Sequence, residues 1–223
     1  IFVGMIATQL INEHLSPLRT TDSVDAALAF MISQGVTELP LIEQKQLYNY
    51  VRLQQLSGFS KEQSLGDAIA KNPFPPSAMG QSHLYELVPM LAANELSILA
   101  VTDADGQYQG IIEQKSINKL IADSFTYRGM GAILVLLMDD RDFAPSQLGR
   151  WIEENGAKML GMMINHAEQG KLRINVKLNT TVVRGIIATL ERQHVNVEHV
   201  FMAEDHDEND TKAFDVVFKF FDI

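Results

Sequence analysis

Acidic side chains and histidines are the residues of this sequence that most directly suggest chemistry. The run Asp139-Asp140-Arg141-Asp142 gathers three carboxylates, which suit a hard cation, but four consecutive loop positions with an internal arginine are more typical of a solvated turn. The six histidines form no HExxH pattern and no i, i+4 pair, so the sequence predicts no zinc site. Cysteine is absent, which excludes disulfides, thiol catalysis and cysteine-ligated metal.

The sequence also lacks convincing motifs for a phosphate loop or an activated nucleophile. Gly129-Met130-Gly131 resembles a phosphate loop only superficially, because a dinucleotide fingerprint follows a strand and opens a helix, whereas these glycines precede a predicted strand. We interpret them as a hinge between modules. The sequence contains no Walker loop and no Gly-x-Ser-x-Gly elbow. We therefore predict that the protein is not an enzyme and has no catalytic residue and no metal site.

The charge balance limits the partners and the compartment. Eighteen Lys and Arg residues against 28 Asp and Glu residues give a formal net charge of −10 and a pI near 5.0. Such a surface repels nucleic-acid phosphates and anionic membranes, so neither partner is expected. The longest apolar run, 129–138, is too short to span a bilayer, and the opening residues carry no secretory signal. These features predict a cytoplasmic protein, in which the acidic run 204–210 is an exposed loop.

Apolar periodicity locates the helices that must position any site. Spacing at i, i+3, i+4 and i+7 predicts amphipathic helices over 24–31, 84–91 and 183–190. The predicted N-caps are Asp22 or Ser23, then Ser82, then Thr180 or Thr181. Pro89 should kink the second helix or shift its start. A shorter helix is predicted from Pro145 to Asn155, with Asp142 or its loop as the cap and Gly156 as a left-handed stop.

Short strands alternate with these helices and reveal an internal repeat. Residues 16–58 and 76–125 each predict a strand start, an amphipathic helix, two strands joined by a turn and a short helix, at a spacing of about 60 residues. The Asp103–Gly106 turn ends in Asp-Gly, a strong hairpin signal. The last hundred residues predict a ferredoxin-like βαββαβ order and one extra strand at 214–221. The predicted class is therefore α+β, with two paired modules before a ferredoxin-like domain.

Specific motifs in the repeat resemble the CBS domain, the cystathionine beta-synthase module. In the first copy, Ser16-Pro17-Leu18, the segment 21–31 and Leu39-Pro40-Leu41-Ile42-Glu43 match the opening and the "LPVVD" strand of that family. In the second copy, segments 101–106 and 110–112 match "VVDEDGKLVGIV", with Ala100 replacing the family's proline. The resemblance implies CBS modules at 5–70 and 71–126, joined by the proline-rich linker 71–76.

The C-terminal part resembles an ACT domain, a small ferredoxin-like effector module. The segment 142–148 is similar to the "DxPGxL" turn of that family, and it implies an effector loop at Pro145, Ser146 and Leu148. Ser146 replaces the glycine that allows a ligand close to the backbone, so dimerisation is favoured over ligand binding there. The implied ACT-like domain is 127–223. A CBS pair followed by an ACT module resembles bacterial CBS–ACT proteins of the acetoin-utilisation type.

The CBS resemblance implies which residues would hold a ligand. CBS pairs bind adenosine-containing ligands between their modules and form dimers, and the ribose is usually held by a Thr or Ser and an Asp in a "GIVTxxD" segment. Neither copy here keeps that carboxylate. Arg52 and Gln55 occupy the two positions in the first copy, and Glu113 and Ser116 occupy them in the second. The implied ligand contacts are Thr21, Leu39, Arg52, Gln55, Ile98, Glu113 and Ser116.

The two implied clefts differ in the sign of their charge. Arg52 can pair with a phosphate and Gln55 can hydrogen-bond a hydroxyl, whereas Glu113 repels phosphate and Ser116 has only a short hydroxyl. We expect any nucleotide in the Arg52 cleft. In the alternative interpretation, Arg52 forms a surface ion pair and both clefts are empty or filled by side chains.

Two functions follow from these features. The first is a cytoplasmic regulatory protein that senses AMP, ADP, ATP or S-adenosylmethionine through its CBS pair. The second is a ligand-free homodimeric scaffold, or a module that docks on another protein. A homodimer is expected under both hypotheses, through isologous contacts of paired helices.

Overall fold

Small sheets and short helices are mixed along the whole described chain. The structure is a computed structural model that describes residues 5–202 of the 223. The chain divides into two compact units between Ile121 and Ala122. Both units contain helices and strands, so the predicted α+β class is confirmed. The extra strand predicted at 214–221 and the acidic run 204–210 lie outside the described residues.

The first unit contains the same succession of elements twice. The first copy consists of β1 (Leu18–Arg19), α1 (Val24–Gln34), β2 (Glu38–Glu43), β3 (Gln46–Arg52) and α2 (Leu53–Leu56). After α3 (Leu65–Ala68), the second copy consists of β4 (Ser77–Met79), α4 (Leu84–Ala93), β5 (Ile98–Thr102), β6 (Tyr108–Glu113) and α5 (Gln114–Ala122). Because α1 and α4 begin at positions 24 and 84, the predicted spacing of about 60 residues is confirmed.

Each copy forms a three-stranded sheet with the same pairing. In the first copy β2 is central, parallel to β1 and antiparallel to β3. In the second copy β5 is central, parallel to β4 and antiparallel to β6. The register also fixes which residues correspond: Pro40 pairs with Tyr50 in one copy, and Ala100 pairs with Ile111 in the other.

The two hairpins of the first unit turn by different means. The β5–β6 turn is the predicted one: Gly106 has φ +75°, and the Asp103 carboxylate accepts the backbone N–H groups of Asp105 at 3.0 Å and Gln107 at 2.8 Å. The β2–β3 turn has no glycine. Gln44 and Lys45 both take positive φ, 48° and 70°, which is the backbone shape that a two-residue hairpin loop requires.

Two segments, each with one four-residue helical stretch (Ala7–Leu10 and Leu65–Ala68), pack against the copies in exchanged order. We call residues 5–12 the N-terminal strap and residues 63–72 the middle strap. The N-terminal strap bonds to the second copy, and the middle strap bonds to the first. Their equivalent backbone hydrogen bonds are Ala7 to Ser82 (2.9 Å), Thr8 to Gly80 (3.0 Å), Leu65 to Asp22 (2.8 Å) and Gly66 to Thr20 (2.9 Å). The acceptors lie 60 positions apart, so the two straps play the same structural role.

The apolar cores of the two copies interlock. Leu47 and Tyr50 of the first copy are buried in the cluster that is otherwise built by the second copy and the N-terminal strap. Ile98 and Ile111 of the second copy are buried in the cluster of the first copy. Each copy therefore completes the core of the other, and neither is a separate folding unit in this arrangement.

The second unit is a four-stranded antiparallel sheet with helices between its strands. Its elements are α6 (Phe125–Arg128), β7 (Ile133–Asp139), α7 (Pro145–Glu153), β8 (Met159–His166), β9 (Lys171–Leu178), α8 (Arg184–Arg192) and β10 (Asn196–Phe201). The strand order is β10-β7-β9-β8, so the predicted βαββαβ arrangement is confirmed. Leu148 and Ile152 of α7 and Leu190 of α8 are buried in its core.

The helix termini were predicted with mixed success. Ser23 caps α1 by accepting the N–H of Ala26 at 3.2 Å, as expected. Ser82 is wrong as a cap: His83 caps α4, and its Nδ1 accepts the N–H of Tyr85 at 3.2 Å. The Thr180 or Thr181 cap is also wrong, because α8 begins after Val183 without a side-chain cap.

Two further expectations concern single residues of the helices. Pro89 lies inside α4, and it is not at the start of that helix. The predicted Asp142 cap is wrong, because Ala144 precedes α7 without a side-chain hydrogen bond. Pro145 opens that helix, and its missing N–H is one that a helix start leaves unbonded in any case. The predicted stop at Gly156 is confirmed by its φ of +75°.

Gly131 is a position in the second unit where no side chain fits. Its φ is +144°, and a Cβ built there would lie 2.0 Å from the backbone oxygen of Leu178 and 2.9 Å from the backbone nitrogen of Thr180. Neither backbone atom can move without disturbing the start of the sheet, since Ala132 and Leu178 are hydrogen-bonded to each other at 2.9 Å.

We predict that Gly131→Ala lowers the free energy of unfolding of the second unit by roughly 1–3 kcal/mol or more, because the new methyl group overlaps backbone. The control is Gly149→Ala in α7, where a Cβ meets nothing within 4 Å; there alanine should be neutral or stabilising by about 0.5–1 kcal/mol. Denaturant titrations followed by circular dichroism measure both. Equal stability of the two variants would contradict the close approach at Gly131.

Candidate functional site

A cleft of about 670 Å³ opens in the first unit, a size typical of small-molecule sites. Four segments build it: β3, the α2 region, the middle strap with its connection to β4, and the α4–β5 loop. The lining residues are Asn49, Tyr50, Arg52, Gln55, Gly58, Phe59, Ala68, Ile69, Ala70, Asn72, Pro76, Asn94 and Leu96. Because Asn94 and Leu96 belong to the second copy, the cleft exists only when the two copies pack together.

The lining has an uneven charge distribution. Arg52 is its charged side chain, and four neutral amides accompany it: Asn49, Gln55, Asn72 and Asn94. Among the residues that the structure describes, no Asp or Glu lines the cleft. A cleft of this composition offers hydrogen-bond donors and one positive charge, and it therefore suits an anionic ligand with several hydroxyl or ring acceptors.

Arg52 is positioned at the junction of β3 and α2. Its Nε lies 3.8 Å from Glu38 Oε2, and one guanidinium N–H donates to the backbone oxygen of Asn94 at 3.4 Å. Both contacts are long. Because the Arg52 side chain is 42% exposed, water can also reach them. The backbone N–H of Arg52 donates to Gln55 Oε1 at 3.1 Å, which leaves the amide NH₂ of Gln55 as a donor for a ligand.

Glu38 is a buried carboxylate that joins the two copies. Its side chain is only 6% exposed. Oε1 accepts the hydroxyl of Ser97 at 2.9 Å, the backbone N–H of Ile98 at 3.3 Å and the backbone N–H of Ser97. Three donors of the second copy therefore hold this charge, and Arg52 is an additional partner rather than the main one.

Tyr50 makes the second polar connection between the copies. Its hydroxyl donates to the backbone oxygen of Pro76 at 2.8 Å and accepts the backbone N–H of Ala100 at 2.8 Å. Burial raises the pKa of this phenol above its ordinary value of 10.0, although the N–H of Ala100 acts in the opposite direction. Pro40, the residue of the first copy that corresponds to Ala100, has no N–H to donate, so the alanine supplies a donor that a proline at this position would lack.

The structure brings together only part of the predicted site. Arg52 and Gln55 line the cleft, as the resemblance implies. The other five residues do not line it: Thr21 is exposed before α1, Leu39 and Ile98 are buried in the core, Glu113 is buried on β6, and Ser116 is half-buried on α5. The sequence analysis did not find Asn49, Asn72 and Asn94, because isolated asparagines carry no local signal of a shared cleft, whether on a strand, as Asn49 is, or in a loop.

The residues of the predicted effector loop are separated by burial. Pro145 is the first residue of α7 and Ser146 is exposed beside it. Leu148 is fully buried in the core of the second unit. A ligand at this helix start would therefore meet Pro145 and Ser146, whereas Leu148 contributes to packing.

Metal and membrane features were searched over residues 5–202. Within that range no group of three or more His, Asp or Glu side chains is placed to share a metal ion. The described chain has no helix with the length and apolar character needed to cross a bilayer.

Comparisons with known proteins identify similar folds. No protein-family model matches the sequence, and no curated protein matches it significantly. Protein MJ1004 from Mathanocaldococcus jannaschii superposes with a TM-score of 0.50 at 13% identity, over 55% of this chain and 62% of its own length. The CBS domain pair/ACT domain protein TM0892 from Thermotoga maritima gives a TM-score of 0.49 at 11% identity, over 53% of this chain and 98% of its own.

A plant protein extends these similarities. The CBS-pair protein CBSX2 from Arabidopsis thaliana gives a TM-score of 0.46 at 22% identity, over 53% of this chain and 95% of its own. CBSX2 has also been solved in complex with AMP. TM0892 and CBSX2 are thus both CBS domain pairs, the family that the repeat resembles, and each aligns with about half of this chain.

We predict that Tyr50→Phe lowers the free energy of unfolding of the first unit by about 1–3 kcal/mol, because it leaves the buried Ala100 N–H without a partner and removes the bond to the part-buried Pro76 carbonyl. Tyr85→Phe is the matched control, since Tyr85 is 83% exposed on α4 and water replaces any bond of its hydroxyl. Denaturant titrations compare the two variants. Equal stability would show that the Tyr50 hydroxyl does not hold the copies together.

The same residue predicts a dependence on alkaline pH. The unfolded chain loses the phenolic proton of Tyr50 near pH 10, whereas burial keeps that proton bound in the folded chain. The stability contributed by Tyr50 is therefore complete below pH 10 and falls above it, by about 1.4 kcal/mol per pH unit. Between pH 10 and pH 12 the stability difference between wild type and Tyr50→Phe should shrink at this rate. Parallel pH profiles would contradict the raised pKa.

Proposed function

We propose that the first unit is a tandem CBS-type pair that binds a small anionic ligand in the Arg52 cleft, and that the chain is a cytoplasmic regulatory protein rather than an enzyme. The observation that carries the proposal is the composition of the cleft. It combines one guanidinium with four amides and includes no carboxylate in a volume of about 670 Å³. An adenine nucleotide such as AMP, ADP or ATP is the ligand class that best matches this lining, and S-adenosylmethionine is its cationic alternative.

The cleft residues divide the recognition of a nucleotide among them. Arg52 would pair with a phosphate, because guanidinium geometry matches two phosphate oxygens. Apolar surface from Phe59, Ile69 and Leu96 would contact a flat ring. The free NH₂ of Gln55 would donate to a ribose hydroxyl in place of the missing family carboxylate. A neutral amide holds a hydroxyl less strongly than a carboxylate does, so phosphate recognition should contribute most of the affinity.

A regulatory role requires that ligand binding alter the protein. In this chain a phosphate on Arg52 would compete with Glu38 and with the carbonyl of Asn94. Glu38 would keep its three donors from Ser97 and Ile98, so the buried charge would stay satisfied when Arg52 turns to the ligand. The contact that changes lies at the end of α4, where Arg52 reaches the second copy. A ligand shifts the equilibrium only by its different affinity for the two arrangements.

The second unit is proposed to be an ACT-type module, which would place the chain with CBS–ACT proteins of the acetoin-utilisation type. Its βαββαβ sheet agrees with that class. Ser146 at the start of α7 blocks a close ligand approach, so we assign this unit to assembly or to transmission of the ligand state.

A ligand-free homodimeric scaffold is the second candidate. Its supporting observation is apolar surface on the helices: Ile32 of α1 is 63% exposed, and Tyr85 and Val88 of α4 are 83% and 42% exposed. Burying these side chains against a second copy would stabilise a dimer. Light scattering of wild type and of a Tyr85→Ser, Val88→Ser variant would measure this contribution.

We predict that AMP, ADP or ATP raises the melting temperature of wild type by about 5–10 °C at a hundred times its dissociation constant. Arg52→Ala should weaken binding about tenfold or more in calorimetric titrations, because it removes the phosphate partner. Gln55→Ala should have a smaller effect.

The matched control is Arg150→Ala, which removes an exposed arginine that pairs with Glu154 at 2.9 Å on the second unit. Its nucleotide affinity should equal that of wild type. Binding that survives Arg52→Ala unchanged would move the site elsewhere. No thermal shift with any nucleotide, S-adenosylmethionine or amino acid at millimolar concentration would favour the scaffold.

A further inference from the structure

The second copy contains a position equivalent to the Arg52 cleft. The register of the two hairpins makes Asn49 equivalent to Gly110 and Arg52 equivalent to Glu113, because their partners on β2 and β5 lie 60 positions apart. We call the position beside Gly110 and Glu113 the second cleft. Two equivalent clefts would give the chain two ligand sites, unless something distinguishes them.

The N-terminal strap lies directly on the strand of the second cleft. Ile11 forms an antiparallel bridge with Ile112, and the backbone N–H of Asn12 donates to the carbonyl of Ile111 at 2.8 Å. The middle strap is attached differently in the first copy. There the side chain of Asn49 intervenes, and its Nδ2 donates to the carbonyl of Ala70 at 2.7 Å. At this position the strap pairs through its backbone in the second copy and through a side chain in the first. In the first copy the backbone bond between the middle strap and β3 lies farther along, from the N–H of Asn72 to the carbonyl of Tyr48 at 3.1 Å.

Gly110 permits the close approach of the strap. A Cβ at this position would lie 2.5 Å from Cγ2 of Ile11 and 3.2 Å from its Cδ1. The isoleucine side chain therefore occupies the space that the equivalent Asn49 side chain takes in the first copy. Glycine at 110 leaves room for the Ile11 side chain of the N-terminal strap, whereas asparagine at 49 holds the middle strap through its side-chain hydrogen bond.

Asn12 and Lys115 satisfy the charge of the second cleft. Asn12 Nδ2 donates to Glu113 Oε2 at 2.7 Å, and Lys115 Nζ lies 2.6 Å from Oε1. Both oxygens of this carboxylate, whose side chain is 8% exposed, thus have partners from the chain itself. A ligand phosphate would have to displace Asn12 and would then face a negative charge.

The connections that follow the two straps differ in length. Ala7 and Leu65 make equivalent hydrogen bonds 58 positions apart, whereas Leu18 of β1 and Ala78 of β4 are 60 apart. The connection from the N-terminal strap to β1 is therefore two residues shorter than the connection from the middle strap to β4. The longer connection includes Asn72 and Pro76, which line the open cleft.

We infer that the N-terminal strap is a built-in occupant of the second cleft, and that each chain consequently binds one nucleotide rather than two. The inference on stoichiometry rests on the proposed function, whereas the seating of the strap is independent of any ligand. Ile11 fills the space beside Gly110, and the Asn12–Glu113 hydrogen bond closes the site.

Two measurements test the inference on the full chain. Calorimetric titration with ATP and with AMP should give one site per chain, and Arg52→Ala should weaken that site about tenfold or more without exposing a second one. Hydrogen exchange followed by mass spectrometry should show the bonded strap amides of Ala7, Thr8 and Asn12 exchanging roughly a hundredfold slower than free peptide, before any ligand is added. Added ATP should slow exchange in residues 68–72 and leave residues 5–12 unchanged.

A variant pair tests the contact that closes the second cleft. Asn12→Ala should accelerate exchange of the strap amides about tenfold, because a hydrogen bond to a buried carboxylate is lost. Asn118→Ala is the control, since it removes the same amide from an exposed position on α5 and should leave the strap unchanged.

The outcomes separate the inference from the proposed function. Two sites per chain, or a site that binds Arg52→Ala as tightly as wild type, would overturn the inference while nucleotide binding stands. Strap amides that exchange as fast as free peptide would overturn it without reference to a ligand. If no nucleotide binds but the strap amides are protected and respond to Asn12→Ala, the proposed function fails and the seating of the strap is upheld.

Discussion

A buried carboxylate and a buried phenol join the two copies of the first unit. Glu38 and Tyr50 both belong to the first copy, and their partners are mostly backbone groups of the second. An unpaired polar group in this environment would be strongly destabilising, so each side chain requires its partner copy to be docked in one register. Every buried side-chain nitrogen or oxygen in the described chain has a hydrogen-bond partner.

The cleft depends on this junction. Its walls come from β3, the α2 region, the middle strap and the α4–β5 loop, and only the docked copies hold these four segments at a fixed spacing. The Glu38 carboxylate already has three hydrogen-bond donors from Ser97 and Ile98, and Arg52 adds a longer contact. The docking of the two copies therefore does not depend on Arg52. Glu38 preserves the docking while Arg52 stays available to a ligand.

The architecture could largely be predicted from the sequence, because it follows from periodic patterns. Apolar spacing of 3.6 residues located α1, α4 and α8, and the turn at Gly106 located the second hairpin. The straps escaped prediction because their helical stretches are only four residues long, too short to show an apolar periodicity, and their partners lie far away in the sequence. The helix starts at His83, which caps α4, and at Val183, which makes no side-chain cap, depend on how the preceding chain enters the helix, which local propensity does not determine.

The site was less predictable than the fold, for a physical reason. Arg52 and Gln55, which line the candidate cleft, were predicted because the repeat resembles a family motif at their positions. Asn49, Asn72 and Asn94 become neighbours only through the docking of distant segments. Locally, Asn49 is a strand residue, Asn72 accepts the N–H of Phe74 and Asn94 ends α4. Leu39 and Ile98 were predicted to touch a ligand, but the interlocked cores bury them.

Ala100 has a consequence for how such a chain can arise and be rearranged. The Tyr50 hydroxyl accepts its N–H, and the first copy has Pro40 at the equivalent place. A chain with the first copy duplicated in tandem would set Tyr50 opposite a proline that has no proton to give. A duplicated second copy would set Ile111 against an unused N–H. The two halves are therefore complementary parts that cannot replace one another, although they share the same order and pairing of strands.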